Sequence, residues 1–170
     1  KGVFADQISA PDALMLRDVH AGNLIWLPDR SGVARVGLLD FQDAMLCSRL
    51  YDVVSLIEDA RRDLPRGLAD RHYAQAATSL GRDLPGVRIE AAALSLQRNL
   101  RILGVFSRLC LRDGKVSYLA FIPRVWAHIG RALDQLALQN LPQTLRDALP
   151  EPTPDHLQKL EDACGTIQKR

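Results

Sequence analysis

Hydrophobic residues in the first third of the chain come in short runs separated by polar and turn-forming residues. Ala13-Leu14-Met15-Leu16 enters a polar segment from Arg17 to Asn23. Leu24-Ile25-Trp26-Leu27 follows, then Pro28-Asp29-Arg30-Ser31-Gly32, then Val33 to Leu39. Two β-rich runs around a Pro/Asp/Ser/Gly cluster predict a hairpin over residues 24–39. Its arms are antiparallel, so Asn23, just before one arm, and Asp40, at the end of the other, must lie close together.

From about Ser48 the period becomes helical. Leu50, Val53, Val54, Ile57 and Ala60 recur at helical spacing, and Pro65 is expected to stop the run. A second helix is predicted over Arg66 to Leu80, with Gly81 as its C-terminal signal. Leu94, Leu96, Leu100, Leu103, Phe106, Leu109 and Cys110 give a wide apolar face, hence a long buried helix from Val87 to Arg112, broken by Asp113-Gly114. Ser117 to Leu138 is helical again, with a kink or a fresh start at Pro123. A short turn at Gln143–Ala148, a Pro150/Pro152/Pro154 linker and a last helix over Asp155–Ala163 complete the chain. The expected class is α+β, mostly α: a small β-hairpin followed by a helical bundle.

The 170 residues suffice for one well-cored domain, and 47% hydrophobic with 25% charged residues is the balance of a soluble globular protein. A formal charge of +2, with pairs such as Arg61-Arg62 standing isolated, does not make the basic stripe of a nucleic-acid binder. No apolar run approaches the roughly 18–20 residues of a membrane span, and no signal peptide is visible. Cys47, Cys110 and Cys164 form no C-x-x-C pair and read as three isolated thiols, which fits a reducing cytoplasm. The chain starts at Lys1 without Met, which leaves the expectation of an upstream portion.

The chemistry is concentrated in Leu16-Arg17-Asp18-Val19-His20-Ala21-Gly22-Asn23 and in Leu38-Leu39-Asp40-Phe41-Gln42-Asp43-Ala44. Phosphoryl transfer needs an acceptor hydroxyl held in line and metal ions that neutralise charge on the phosphates. A carboxylate can hold the hydroxyl and take its proton, while an amide oxygen and a second carboxylate suit Mg²⁺. Asp18, Asn23 and Asp40 supply that set, at the spacing of protein-kinase-like enzymes.

The Asp18-to-Asn23 stretch, with His20 two residues after the Asp and Asn23 five after it, resembles the loop of the aminoglycoside/choline kinase superfamily. Asp40-Phe41-Gln42-Asp43-Ala44 is similar to that family's metal motif, and Leu50-Tyr51-Asp52-Val53-Val54-Ser55-Leu56 to its next segment. Glu58 to Asp63, Arg98 to Gly104 and Ile122 to Trp126 resemble bacterial kinases that phosphorylate N-acetylmuramate and N-acetylglucosamine at the anomeric position. The resemblance covers residues 12–149 and implies the C-terminal lobe of a protein-kinase-like fold over residues 1–150. Within it would lie a catalytic loop at 16–23, the hairpin, a metal motif at 40–44 and a helical subdomain at 48–149, with residues 151–170 as linker and tail.

It further implies ATP as co-substrate, Mg²⁺, and a small hydroxylated acceptor, an amino sugar by the subfamily motifs. Asp18 would be catalytic, Asn23 and Asp40 metal-binding, and Ile25 and Leu39 an apolar floor under adenine. Asp52 would brace the catalytic loop, and His20 would support it by bonding backbone. Asp43 has two equal readings, helix capping or approach to a second metal or the acceptor. Trp26 is expected to pack, Arg98 and Arg101 to pair at the surface in preference to meeting a sugar carboxylate or phosphate, and His72, His128 and His156 to be ordinary surface or partly buried residues.

Two departures stand out: Leu16 occupies the place of a usual His, and the nucleotide-clamping N-terminal lobe has no counterpart here. There is no G-x-G-x-x-G-like loop, and none of Lys1, Lys115, Lys159 or Lys169 has the right context. The isolated chain is therefore not expected to be active alone. Alternatives are an inactive kinase-like lobe serving as an interaction module, an aminoglycoside- or choline-type kinase, and a metal-dependent hydrolase using Asp18, His20 and Asp40. Nothing in the sequence sets an oligomeric state.

Overall fold

The computed structural model describes residues 7–137 and 149–167, so the turn expected at Gln143–Ala148 lies outside the described residues. Two small antiparallel sheets come first. Strands β1 (Ala13–Met15) and β4 (Met45–Cys47) pair as Ala13 with Cys47, Leu14 with Leu46 and Met15 with Met45. Strands β2 (Leu24–Trp26) and β3 (Val36–Leu38) pair as Leu24 with Leu38, Ile25 with Gly37 and Trp26 with Val36. The second pair is the expected hairpin; β4 was not foreseen. The hairpin arm is also shorter than expected, because Gly32 takes a left-handed φ of 55° and Gly32–Arg35 coils into a 3-10 turn. Arg35 closes that turn by donating to the Arg30 carbonyl at 2.7 Å and lying 5.6 Å over the Trp26 ring. Trp26 is thus 63% exposed under a guanidinium and not packed in a core, as expected of it.

The helices follow in the anticipated order: α1 (Leu50–Ile57), α2 (Leu68–Leu80), α3 (Leu84–Asp113), α4 (Ile122–Ala137) and α5 (Pro154–Asp162). Helix α1 stops well before Pro65. Its last bond runs from the Glu58 N–H to the Val54 carbonyl, and Asp59 then folds its side chain onto the Arg61 N–H, a local bond that competes with continued helix. Helix α2 ends as Gly81 predicts: Gly81 is left-handed, its N–H bonds Thr78, and the Arg82 N–H bonds Ala77.

The chain divides into two compact units, Lys1–Leu94 and Ser95–Arg170, within α3. In the first, Met15, Leu50, Tyr51, Val54, Ala77, Val87, Ala91 and Leu94 form a core that joins β1 to α1, α2 and the start of α3. Beside it, Glu90 is only 1% exposed and its carboxylate accepts from Ser9 at 2.6 Å, from Ser48, and from Arg82 at 2.6 Å. This knot ties α3 to the residues before β1 and just after β4.

In the second unit, α4 starts afresh around Pro123, preceded by a 3-10 turn over Val116–Phe121. It buries Ile122, Val125, Ile129, Ala132, Leu133 and Leu136 along one face. Phe106, Tyr118 and Phe121 cluster with ring centroids 5.1–6.2 Å apart. Thr153 caps α5 by accepting from the His156 N–H. Arg98 is 6% exposed, against the surface position expected of it, and His128 is equally buried.

Cys110 and Cys164 are joined as a disulfide with Cα atoms 4.9 Å apart, which corrects the reading of three isolated thiols. The segment after α5 returns to the end of α3, where the Gly165 N–H bonds Cys110 and the Ile167 N–H bonds Leu111. A return across 54 residues leaves no mark in cysteine spacing. The thiols therefore no longer argue for a reducing compartment. No helix among the described residues is long and apolar enough to cross a membrane.

Burial disfavours charge on Glu90, but the bonds from Ser48, Ser9 and Arg82 outweigh it and hold the carboxyl below the ordinary carboxylate range. A lowered folded-state value contributes stability above the unfolded pKa of about 4.3, and that contribution is lost as pH falls through the folded value. Glu90→Gln is expected to lower unfolding free energy by about 2–3 kcal/mol at pH 7. The gap from wild type should close on acidification, as followed by urea denaturation. An equal gap at pH 7 and at about pH 3 would contradict this assignment.

Candidate active site

The polar segments 16–23 and 40–44 are each bracketed by the two ladders. Residue 16 leaves β1 beside the Met15–Met45 pair, where residue 44 enters β4. At the far end, the Leu39 N–H bonds the Asn23 carbonyl at 2.9 Å, one step beyond the Leu24–Leu38 pair. Asn23 and Asp40 are thereby brought side by side, as the hairpin requires. Asn23 also donates its side-chain Nδ2 to the Asp18 carbonyl at 2.9 Å, which closes the loop on itself. Asn23 is thus bonded to the backbone of Asp18 and of Leu39, the residue before Asp40.

Within loop 16–23 three backbone donors bond locally. The Asp18 N–H bonds Leu16, the Asn23 N–H bonds His20, and the Gly22 N–H bonds His20 Nδ1 at 3.0 Å. His20 therefore bonds backbone inside the loop. Two donors reach outside it: Leu16 N–H to Asp52 Oδ2 at 2.7 Å and Ala21 N–H to Asp59 Oδ2 at 3.3 Å. Asp52 sits where a brace is expected. Asp59 lies in the Glu58–Asp63 stretch that carries the subfamily resemblance, but no role was read for it from the sequence.

The backbone turns sharply at Arg17 (φ 72°) and Asp40 (φ 56°), left-handed positions that Asp tolerates and Arg enters less readily. Gln42 donates its amide to Asp40 Oδ1, a second contact not anticipated. Asp43 lies 3.8 Å from Arg17 with both side chains largely exposed, so the pair links the two segments only loosely.

Asp18 and Asp40 are exposed and Asn23 is half-buried. With Nδ2 committed to Asp18, the Asn23 Oδ1 is left to accept, and an amide oxygen of this kind and a carboxylate such as that of Asp40 are hard oxygen donors of the type Mg²⁺ prefers. Among the described residues no three His, Cys, Asp or Glu side chains gather as a metal cluster. Ile25 and Leu39 share a hairpin face with Asn23 and are 43% and 47% exposed, so they form an open apolar platform beside the polar cluster. Gly37, opposite Ile25, leaves that platform without a further side chain.

Asp52→Ala should lower stability by about 1–3 kcal/mol, because the Leu16 N–H loses a charged acceptor. Asp43→Ala should change it by no more than about 0.5 kcal/mol. Thermal denaturation of both variants against wild type checks the contrast, and equal losses would contradict it.

Comparison with known proteins gives the same picture. Residues 4–89 match the phosphotransferase enzyme family. Over 131 residues, 74% of this chain, the sequence is 45% identical to an N-acetylmuramate/N-acetylglucosamine kinase of Caulobacter vibrioides, covering 35% of that protein. Kinases of the same name from Pseudomonas putida and Neisseria meningitidis are 30% and 33% identical over 74% and 73% of the chain, each covered to 38% of its length. The chain thus spans little more than a third of the curated relatives it matches. The chain belongs to the phosphotransferase enzyme family.

Proposed function

We infer that the protein containing this chain transfers the terminal phosphoryl group of ATP to a hydroxyl of a small acceptor, an amino sugar of the N-acetylmuramate or N-acetylglucosamine kind. The observation that carries this reading is the double tie of Asn23, to Asp18 through its side chain and to Leu39 through its carbonyl. That tie holds the backbone of Asp18 and of Leu39, the residue before Asp40, on one residue. Asp18 would orient the acceptor hydroxyl and take its proton. Asn23 and Asp40 would hold Mg²⁺, which when bound neutralises charge on the nucleotide phosphates. Ile25 and Leu39 would lie under the adenine ring. The amino-sugar assignment is supported by the names of the relatives, and the cytoplasm is the compartment we assign, as the source of ATP. Residues 1–150 would act as one functional lobe, with 151–170 as its tail.

The inactive-lobe alternative drew on Leu16 standing where a His is usual and on the missing counterpart of the N-terminal lobe. Here residue 16 meets its brace through its backbone N–H, which any residue but proline supplies. The bond from Asp52 to the loop entry therefore does not depend on the side chain at position 16. In the full-length protein, Asp18→Ala should lower kcat for ATP-dependent phosphorylation of N-acetylmuramate or N-acetylglucosamine by about 10²–10⁴-fold, the usual contribution of a general base. Equal turnover by the two proteins would refute the reading, and turnover only with other acceptors would confine the error to the substrate.

A further inference from the structure

Asp59 lies just beyond α1 and is 3% exposed. One carboxylate oxygen, Oδ1, accepts from the Arg61 N–H at 2.9 Å, a local bond that sets the orientation of the group. The other, Oδ2, reaches 38 residues back along the chain to the Ala21 N–H at 3.3 Å. Ala21 opens the 3-10 turn Ala21–Asn23, between Asp18 and the metal-facing Asn23. Asp52 holds the loop at its entry, Leu16, but leaves the five-residue step from Asp18 to Asn23 to local bonds and to Asp59.

We propose that Asp59 is a positioning residue, whose buried carboxylate holds the middle of loop 16–23 through the Ala21 N–H and so keeps Asp18 and Asn23 in register. This role rests on the phosphotransferase reading above. Asp59 touches neither acceptor nor metal; it acts through the backbone that presents Asp18 and Asn23. The two acidic side chains, on and just after α1, thus hold the loop at two points. Loss of the second leaves the entry fixed and frees the turn that carries Asn23. A shift of that size at a reacting centre slows chemistry without abolishing binding. It also loosens a metal ligand whose support comes from outside its own loop.

The test compares full-length wild type, Asp59→Ala, Asp59→Asn and Asp18→Ala by steady-state kinetics with ATP and N-acetylglucosamine, varying Mg²⁺. Asp59→Ala should lower kcat by about 10–100-fold, and its half-saturating Mg²⁺ concentration should rise by about tenfold. KM for the sugar should stay within about threefold, since the sugar does not touch Asp59. Asp59→Asn keeps one acceptor oxygen and should fall between the two. A lower kcat with an unchanged Mg²⁺ requirement marks a merely structural side chain and overturns the role, as does an unchanged kcat. Turnover surviving in Asp18→Ala removes the phosphotransferase reading and this role with it. Turnover lost there but intact in Asp59→Ala removes this role alone. Should Asp59→Ala fail to fold, amide hydrogen exchange of the wild type decides: a protected Ala21 amide supports the bond, and exchange at the rate of a free loop amide overturns it.

Discussion

Everything in the site depends on the hydrogen bonds of Asn23. A loop and a turn, each polar and each exposed on one side, have little hydrophobic burial to hold them in place. Two short ladders hold their ends, and Asn23 bridges what lies between. Its carbonyl extends the β2–β3 ladder by one bond, and its amide nitrogen closes the loop on Asp18. One residue thus sets the spacing between a group suited to hold a hydroxyl and groups suited to hold a cation.

The surrounding structure explains why such short ladders suffice. Three-residue strands are marginal by themselves. Met15 and Leu50 sit in the core of the first unit, and Ser48 donates to the buried Glu90, so β1 and β4 are held from behind by α1 and α3. On the polar segments and their flanking strands, Leu14, Leu46, Ile25, Leu39 and Phe41 are exposed. An apolar platform next to a polar cluster suits a ligand with a flat ring and a charged tail, as a nucleotide has.

The sequence disclosed the parts that are local or periodic. The turn cluster Pro28–Gly32 between apolar runs marks the hairpin, and the antiparallel geometry alone brings Asn23 to Asp40. Gly81 and Pro123 mark helix boundaries by their own stereochemistry. What stayed hidden depends on distant partners. Met45-Leu46-Cys47 has no alternation of its own and becomes a strand only through a partner some 30 residues earlier. Asp59 gains meaning from Ala21, and Cys110 from Cys164, neither of which spacing reveals. Arg98 and Trp26 went opposite ways, the first buried and the second exposed under Arg35, because packing decides such cases and residue type does not.

The central claim is that Asp18, Asn23 and Asp40 form a single site for metal and nucleotide. The most direct measurement is paramagnetic broadening of backbone amide signals in the full-length protein on addition of Mn²⁺ with ATP. Signals of residues 18–23 and 39–43 should broaden first and most strongly, with those of α2 around His72 left sharp. Broadening centred on α2, or broadening of only one of the two segments, would contradict the account.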